Sequence, residues 1–261
     1  MGFDHLLLLA AIQGITEFIP VSSSGHLQLV HGLTTFPDHG LPVDVALHAG
    51  TLLAVMVYFY RDVGMILVGA RDIVRRQPSA PAHLVRVLVI ASLPVLLAGA
   101  TLVVLGVTDA LRKFEIVAWA SIVFAIPLWL ADRSHAMRSS DIEADEGGDV
   151  QSISLRNALI IGLAQILALI PGASRAGVTI MAGLYLGFNR TQAAHFSMLL
   201  AMPVIGAFTL VGLVDLLQRA HLMLWALRWS QPAGSALRLC DHSFVFENDA
   251  DDRPLALCHL P

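Results

Sequence analysis

Apolar residues form long runs along this chain, and few of the runs are interrupted by charge. Residues 87–108 contain no charged side chain over 22 positions, and residues 45–60, 116–131 and 191–214 are also strongly apolar. A helix needs about 20 apolar residues to cross the hydrocarbon part of a bilayer. These four runs therefore predict four membrane-spanning helices.

Two further apolar segments are too short to span and are broken by proline. Residues 6–16 run for 11 positions before Glu17, and Pro20 follows; residues 157–174 are uncharged and contain Pro171. Interrupted backbone is tolerated at membrane depth only where it is buried in protein or lines a wet cavity. We therefore predict re-entrant half-helices here.

The composition agrees with this pattern. The chain of 261 residues is 56% hydrophobic and only 14% charged, whereas soluble domains carry about 25% charged residues. We predict an all-α, polytopic membrane protein. The net charge of −4 and the absence of a basic run argue against a nucleic-acid partner. The first ten residues lack the basic start of a cleavable signal peptide, so we expect this segment to stay in the protein.

Polar positions divide the chain into four predicted parts. We expect a first membrane repeat at 1–131, a cytoplasmic linker at 132–156, a second and incomplete membrane repeat at 157–217, and an atypical polar tail at 218–261. Basic residues concentrate between 61 and 76 and in the linker, so the positive-inside rule places both loops in the cytoplasm. By alternation, the serine-rich turn near residue 22 opens to the outer side.

A faint internal repeat relates the two broken segments. The pattern Ile-Pro-x-x-Ser occurs at 19–23 and at 170–174, with Gln13 seven residues before the first proline and Gln165 six before the second. Paired broken segments in corresponding halves of a membrane protein point to a binding site at the interface of the repeats.

The stretch QGITEFIPVSSSGH at 13–26 carries the first candidate chemistry. Glu17 is an ionisable residue in an apolar segment, which makes it a functional candidate. The serines after it can cap a new helix, whose free N–H groups form a ready anion site. With His26 as a proton carrier, the stretch predicts half of an active site for a phosphorylated substrate.

The stretch PGASRAGVT at 171–179 is the predicted partner. Arg175 offers a fixed fork of donors that suits a phosphate. The alternative is that Arg175 only pairs with Glu17 and holds the two halves together. The neighbouring candidates for backbone approach or hydroxyl contact are Gly172, Ser174, Gly177 and Thr179.

Several side chains keep more than one interpretation. Three roles are open for Glu17: metal ligand, general base or structural ion-pair partner. As a metal ligand it would act with Gln13, which lies one turn earlier on the same face. A lone Glu–Gln pair is a poor Mg²⁺ site, so diphosphate oxygens would have to complete it. The serines are substrate contacts or only a cap. His26 lies within reach of Ser23, as nucleophile chemistry requires, or is an interior histidine.

Two other groups carry weaker signals. Asp44 and His48 form an i,i+4 pair at the start of an apolar run, and they are candidates to contact the site residues without contacting the substrate. Cysteines and histidines of the tail superficially offer zinc ligands, but their spacing fits no usual zinc finger. They are Cys240, His242, Cys258 and His259.

These motifs resemble a known family. GITEFIPVSSSGH at 14–26 and PGASRAGVTI at 171–180 are similar to the two signature motifs of the bacterial undecaprenyl-diphosphate phosphatase family of the bacitracin-resistance type. The similarity extends to VALHAGTLLAV at 45–55 and FSMLLAMPVIGA at 196–207. It covers roughly residues 6–215, and two separate motifs in the right order make it specific.

The resemblance implies an integral enzyme of the bacterial inner (plasma) membrane with two inverted repeats, each bearing a re-entrant helical hairpin. It implies removal of the terminal phosphate from undecaprenyl diphosphate on the outer face, which recycles the lipid carrier for cell-wall synthesis and confers bacitracin resistance. A divalent cation, Mg²⁺ or Ca²⁺, is expected. The oligomeric state is left open.

Carried onto this chain, the resemblance assigns Gln13 and Glu17 to the cation and Glu17, Ser23, His26 and Arg175 to catalysis. Ser22, Ser174 and Thr179 also match its motifs, and together with Ser24, Gly25 and Gly172 they are the residues that we expect to contact the substrate. The chain departs from the family at Gln13, where the first acid is often glutamate, at Ser24 and at Ala176. Family members also continue after residue 215 with hydrophobic helices, so we expect those helices to be missing or replaced by the polar tail.

The expected mechanism follows from the demands of phosphoryl transfer, which is mostly positioning and charge neutralisation. Arg175 and the serine-turn amides would hold the terminal phosphate. The nucleophile is Ser23, His26 or a water activated by one of them with Glu17, and we favour Ser23 with His26 as proton shuttle. The rival function is a lipid transporter or flippase without hydrolysis, which does not require an acid, a serine and a histidine together.

Overall fold

The computed structural model describes residues 2–34, 40–106, 113–139 and 150–230. Within these ranges every regular element is helical, which confirms the all-α fold. Two 3₁₀ turns, Val150–Ser152 and Ile166–Leu169, accompany the α-helices. The α-helices are α1 (Phe3–Thr16), α2 (Ser23–Leu33), α3 (Gly40–Tyr58), α4 (Tyr60–Val74), α5 (Ala80–Val104), α6 (Phe114–Ser139), α7 (Leu155–Gln165), α8 (Arg175–Tyr185) and α9 (Arg190–Ser230).

Four helices of the described part are long and apolar enough to cross a membrane: α3, α5, the segment Phe114–Ser134 of α6 and the segment Arg190–Trp225 of α9. Each of them overlaps one of the four predicted spans. The two broken segments form shorter apolar helices, Phe3–Thr16 and Leu155–Leu169. The polytopic architecture predicted from the apolar runs is therefore confirmed.

Two helices continue past boundaries that were predicted between parts of the chain. α6 continues to Ser139, inside the stretch assigned to the linker, and most of the acidic string lies outside the described residues. Residues Met1–Leu217 form one compact unit, and Gln218–Pro261 form another. Within the second unit, residues 218–230 are helical, and the rest of the predicted tail, with its cysteines and histidines, lies outside the described part. The four-part division stays a prediction.

The outer face of α6 shows why these helices suit a bilayer. Trp119, Ile122, Ile126 and Trp129 are all more than half exposed, and their spacing of three or four residues puts them on one side of the helix. A contiguous apolar stripe of this kind marks a membrane or protein contact. In a bilayer the stripe meets lipid tails, so its exposure is not unfavourable.

Close helix contacts hold the inner faces together. A Cβ added at Gly162 of α7 would lie 2.5 Å from the Ala91 carbonyl oxygen of α5, so only glycine permits this approach. Gln165 of α7 is fully buried, and its Nε2 donates to the same carbonyl at 3.4 Å. Gly212 of α9 likewise packs directly against Val45 of α3.

The two broken segments end in matching helix caps. Ser22 caps α2 by accepting a hydrogen bond from the Gly25 amide at 3.1 Å, and Ser174 caps α8 by accepting one from the Gly177 amide at 3.2 Å. A capping serine bonds the amide at the second or third helical position. Both turns therefore present a helix N-terminus.

These caps correct the register of the internal repeat. The Ile-Pro-x-x-Ser pattern pairs Ser23 with Ser174, but the folded equivalent of Ser174 is the capping residue Ser22. In this register the cap serines, the glycines after them, and the buried glutamines Gln13 and Gln165 are all separated by 152 positions. The proline is displaced by one residue because the cap, and not the proline, fixes where each helix begins. An inverted relation of the repeats stays a prediction.

Candidate active site

Glu17 lies just after α1 and is the centre of the polar cluster. Its side chain is only 8% exposed. Arg175 Nη2 donates to Oε1 at 3.0 Å, while Ser23 Oγ at 2.8 Å and Gln13 Nε2 at 3.0 Å both donate to Oε2. The carboxylate thus accepts three hydrogen bonds, and its charge is balanced by one guanidinium.

Arg175 is the first residue of α8 and joins the two halves of the chain across 158 positions. Its side chain is 12% exposed. The second arm of the guanidinium, Nη1, donates to the Ser197 carbonyl oxygen of α9 at 3.3 Å. Both terminal nitrogens of the Arg175 guanidinium are therefore held by acceptors. The ion pair with Glu17, which the sequence left as an alternative, is present.

Thr179 and Ser197 lie behind Arg175. Thr179 Oγ1 is 2.9 Å from the Arg175 carbonyl oxygen and 2.7 Å from Ser197 Oγ, and both side chains are buried. Thr179 was predicted to contact substrate, but in this structure its hydroxyl bonds protein groups that position Arg175. Sequence reasoning missed Ser197, although it is the one hydroxyl in the apolar stretch at 196–207.

Gln13 is fully buried and turns its amide nitrogen toward Glu17. The sequence interpretation had the oxygens of Gln13 and Glu17 side by side. In the structure Gln13 Oε1 is buried without a hydrogen-bond partner. Such an orphaned acceptor is unusual, since buried polar atoms are nearly always paired, and it is an oxygen that a cation or a donor could satisfy.

The serine turn sends its side chains in two directions. Ser22 Oγ serves as the cap and lies 3.1 Å from Ser24 Oγ, so the cap interpretation holds for Ser22. Ser23 Oγ points the other way, to Glu17. His26 Nδ1 lies 2.7 Å from the Ser22 carbonyl oxygen, which can only accept, so Nδ1 is the donor of this hydrogen bond. Among the described contacts, no hydrogen bond joins Ser23 to His26.

A cavity of about 390 Å³ lies between α2, α6 and α8. Its wall is mostly aliphatic and aromatic, with Leu29, Val117, Phe124 and Met181 among its members. The polar members of the wall are Ser22, His26, Ser121 and Ser174. Glu17, Ser23 and Arg175 are not part of the wall. The predicted site residues therefore form two groups, one buried around the ion pair and one facing the cavity.

Gly172 fixes the turn between the cavity and Arg175. Its φ of +101° is in the region that favours glycine, and a Cβ added there would collide with the Val117 carbonyl oxygen of α6. The Gly172 carbonyl accepts a hydrogen bond from Ser121 Oγ at 3.2 Å. Ser121 ties α6 to this turn, and the sequence gave no signal for it beyond a hydroxyl in an apolar helix.

His48 supports the buried group from α3. Its Nδ1 lies 2.8 Å from the Asp44 carbonyl oxygen, and its ring is 4.7 Å from that of Phe208. The imidazole is close enough to Glu17 to interact with it electrostatically. The predicted Asp44–His48 pair therefore uses the Asp44 backbone, and His48 lies beside the site.

The oxygen atoms available to a hard cation are few. Glu17 supplies a carboxylate and Gln13 supplies the orphaned Oε1. The described residues contain no group of three or more histidine, cysteine, aspartate or glutamate side chains that could hold a metal. Mg²⁺ is usually held by one or two carboxylates together with substrate phosphates and waters. The donor set fits a cation only if a ligand brings further oxygens.

Comparison with known proteins places the motifs in a wider context. A family model described as bacitracin resistance protein BacA matches residues 6–237. The chain is 46% identical over 206 residues to an undecaprenyl-diphosphatase of Ruegeria pomeroyi, covering 78% of this chain and 74% of that protein. It is 44% identical over 220 residues to an undecaprenyl-diphosphatase of Maricaulis maris, covering 84% and 78%.

Proposed function

The chain belongs to the bacitracin resistance protein BacA family, and from this premise we propose that it is a hydrolase that converts undecaprenyl diphosphate to undecaprenyl phosphate and inorganic phosphate. Similar proteins that carry the name undecaprenyl-diphosphatase support this assignment. The observation that carries it is the buried contact of Glu17 with Ser23 and Arg175, next to a largely apolar cavity.

Arg175 is proposed to bind the terminal phosphate. A guanidinium offers two parallel donors to phosphate oxygens, and the two arms of Arg175 already hold acceptors, Glu17 Oε1 and the Ser197 carbonyl. A phosphate that replaces Glu17 meets a donor whose second arm stays anchored. The N-termini of α2 and α8, both beside the cavity, add amide donors and a favourable dipole.

Ser23 is proposed as the nucleophile, and its hydrogen bond to Glu17 supports this role. Ser23 Oγ bonds to the terminal phosphorus, the bond from that phosphorus to the bridging oxygen breaks, and Glu17 receives the hydroxyl proton. Undecaprenyl phosphate leaves. Water then attacks the phosphoserine, Ser23 recovers its proton from Glu17, and inorganic phosphate is released.

His26 is proposed to accept the proton of the attacking water. Its Nδ1 is fixed on the Ser22 carbonyl, so Nε2 is the free basic atom, and the ring borders the cavity. The sequence interpretation gave His26 the proton of Ser23. The contact of Ser23 with Glu17 supports different roles. Glu17 accepts the proton of Ser23 in the first step, and His26 accepts the proton of water in the second.

A divalent cation, Mg²⁺ or Ca²⁺, is proposed to bind at Glu17 and Gln13 together with diphosphate oxygens. When bound, such a cation neutralises charge that develops on the phosphate. The orphaned Gln13 Oε1 supports the position.

The cavity between α2, α6 and α8 is proposed to hold the first isoprene units of the substrate. Its apolar wall suits a prenyl chain, and its polar edge is formed by the two capping serines. Its volume of about 390 Å³ is in the range of drug-sized pockets, about 300–1,000 Å³. The greater part of a C55 chain therefore extends into the bilayer.

The site is proposed to open on the outer side of the bacterial plasma membrane. The support is the distribution of basic residues, which concentrate at 61–76 and favour a cytoplasmic position for that loop. Hydrolysis on the outer side would return the lipid carrier to cell-wall synthesis.

Phosphate release by the purified chain in detergent tests the function. With a C55 or C15 prenyl diphosphate and Mg²⁺ or Ca²⁺, we expect cation-dependent release that Arg175→Ala lowers by about 1,000-fold or more, as for other arginines that stabilise phosphoryl transfer. Folding of the variant is checked by thermal unfolding. A well-folded wild type that binds the lipid and releases no phosphate would favour the lipid transporter.

A further inference from the structure

Helix α4 connects two of the membrane-spanning helices. It begins at Tyr60, with one residue between it and the end of α3 at Tyr58, and it ends at Val74, shortly before α5 begins at Ala80. With 15 residues and four charged side chains, α4 is too short and too polar to span. Because both of its neighbours are long enough to span, α4 is attached to the same membrane surface at each of its ends.

The inner side of α4 carries its two acidic residues. Asp62 is buried, and its Oδ1 lies 3.2 Å from Nε2 of His195 in α9. Asp72 is also buried, and its Oδ2 accepts a hydrogen bond from Ser79 Oγ at 2.7 Å. Both negative charges of the helix therefore face the protein and not its surroundings.

The outer side of α4 combines basic and apolar side chains. Leu67 and Val74 are 67% and 83% exposed, and the exposed Arg71 lies between them, one helical turn from each. Arg71 contacts the inward Asp72 at 3.2 Å, and the exposed Arg75 follows one turn later. An arginine can rest its aliphatic stem on apolar groups while its guanidinium reaches a polar phase. This arrangement is typical of a helix at the boundary between acyl chains and headgroups.

Two adjacent arginines at the end of α4 have no counter-charge in the described part of the chain. Arg75 and Arg76 are both exposed, and neither has a carboxylate of a described residue within ion-pair distance. Their guanidiniums are therefore available to an external anion.

Arg76 holds its charge at a backbone position that favours glycine. Its φ is +55°. Hydrogen bonds from the Gln77 amide to the Asp72 carbonyl and from the Arg76 amide to the Ile73 carbonyl close the end of α4. Helices that end in this way usually have glycine at the left-handed residue. A bulky side chain in such a conformation is a reason to look for its function, and the group that arginine adds here is an exposed cation.

We propose that the outer side of α4, together with Arg76, binds the headgroups of anionic phospholipids in the membrane leaflet that this helix contacts. The apolar side chains enter the upper part of the acyl chains, and the guanidiniums donate to headgroup phosphates. A bilayer is the partner that fits, because α4 is joined to a spanning helix at each end and is basic only on its exposed side. The inference is independent of the reaction proposed at Glu17.

Thermal unfolding of the purified full chain in detergent measures the lipid preference. The probes are dioctanoyl-phosphatidylglycerol, which is anionic, dioctanoyl-phosphatidylcholine, which is zwitterionic, and inorganic phosphate. A ligand that binds only the folded state stabilises it according to the ratio of its concentration to Kd, so titrations give relative affinities. We expect the anionic lipid to bind about tenfold or more tightly than the zwitterionic lipid, since each arginine near a membrane surface contributes about 1 kcal/mol, or roughly fivefold.

Arg76→Gly and Lys113→Gln are matched variants, because each removes one exposed positive charge. Arg76→Gly is expected to lower the preference for the anionic lipid about fivefold. Without lipid it is expected to unfold at the same or a higher temperature, since glycine suits this backbone position. Lys113→Gln, located before α6, is expected to change the preference less than about twofold. Arg75→Gln repeats the loss of charge on α4, with about the same fivefold effect, at a residue whose φ is ordinary.

Equal affinity of the wild type for the two lipids would overturn the inference, and this measurement needs no variant. An unchanged preference in folded Arg75→Gln and Arg76→Gly would also overturn it. Stabilisation by inorganic phosphate equal to that by phosphatidylglycerol would indicate a site for free anions and reject the lipid surface. The preference for the anionic lipid is expected whether or not the chain releases phosphate from a prenyl diphosphate, so the failure of one proposal leaves the other standing.

Discussion

Glu17 receives hydrogen bonds from both halves of the chain, and this single contact set decides how the site residues divide their work. Ser23 lies on Oε2 and Arg175 on Oε1. An isolated carboxylate at this depth would be unfavourable. The ion pair with Arg175 explains how the charge of Glu17 is tolerated. The hydrogen bond from Ser23 places its hydroxyl where the Glu17 carboxylate can accept the proton.

The two adjacent serines of the turn make a matched pair for testing the nucleophile. Ser23→Ala removes the hydroxyl on Glu17, and we expect phosphate release to fall by about 1,000-fold or more, because loss of a nucleophilic serine can cost up to roughly 10⁶ in kcat. Ser24→Ala removes an exposed hydroxyl whose one hydrogen bond among the described residues is to Ser22 Oγ, and it is expected to change the rate less than tenfold. The measurement is kcat with a C15 prenyl diphosphate.

A Ser23→Ala enzyme with full activity would exclude Ser23 as nucleophile and leave water or His26. The sequence alone supported all three, because spacing on a helix shows which residues share a face but not which acceptor a hydroxyl bonds. Ser23 and His26 are three positions apart, yet their hydrogen bonds go to Glu17 and to the Ser22 carbonyl respectively.

At the scale of elements, the turn at 170–174 is set by backbone contact as much as by its proline. Gly172 lies against the Val117 carbonyl of α6, and Ser121 bonds the Gly172 carbonyl. This contact holds the turn that leads into Ser174 and Arg175. The geometry of the phosphate site thus depends on α6, which contributes no charged residue to it.

Two glycines with positive φ, Gly172 in this turn and Gly187 after α8, distinguish the cost of the backbone angle from the cost of a steric clash. Gly172→Ala introduces both an unfavourable φ and a clash with α6, whereas Gly187→Ala at φ +90° meets no atom within 4 Å. We expect Gly187→Ala to cost about 1–2 kcal/mol of stability from φ alone and Gly172→Ala to cost more and to lower phosphate release. Thermal unfolding and initial rates measure the two effects, and equal losses in both variants would contradict the close packing of Gly172 on α6.

At the scale of the whole molecule, the unit Met1–Leu217 contains a buried polar cluster, an apolar cavity beside it and an apolar outer stripe on α6. α6 serves both surfaces, because Val117 and Phe124 border the cavity while Trp119 and Ile126 face outward. A substrate with a charged headgroup and a long prenyl chain needs a polar site for the headgroup and an apolar surface next to it for the chain.

Substitutions on the two faces of α6 test the assignment of the cavity. Ala118→Trp fills the cavity, and we expect KM for a C15 prenyl diphosphate to rise by about tenfold or more, since each buried methylene contributes roughly 0.8 kcal/mol. Ile122→Trp adds the same side chain to the outward stripe and is expected to leave KM unchanged. Binding of methylenediphosphonate with Mg²⁺, which has no prenyl chain, serves as the second readout; a parallel loss there would place the effect of Ala118→Trp on the phosphate site.

The pattern of residues was sufficient to predict the all-α membrane architecture, the four spans, the two interrupted segments and the family. These features are local: a span is recognised by length and apolar composition, and a cap by a serine before a helix. The motifs also identified Glu17 and Arg175 as functional candidates. A charged residue type within an apolar segment is sufficient to raise that hypothesis.

The tertiary structure alone decided which of the candidate partners meet. Arg175 reaches Glu17 across 158 positions, and the caps shift the repeat by one residue. Ser197 and Ser121 join the site although the sequence assigned neither of them a role. Each outcome depends on how helices pack and on which hydrogen bonds survive burial. A linear pattern of residue types carries neither, because a buried donor bonds whichever acceptor the packing brings within reach.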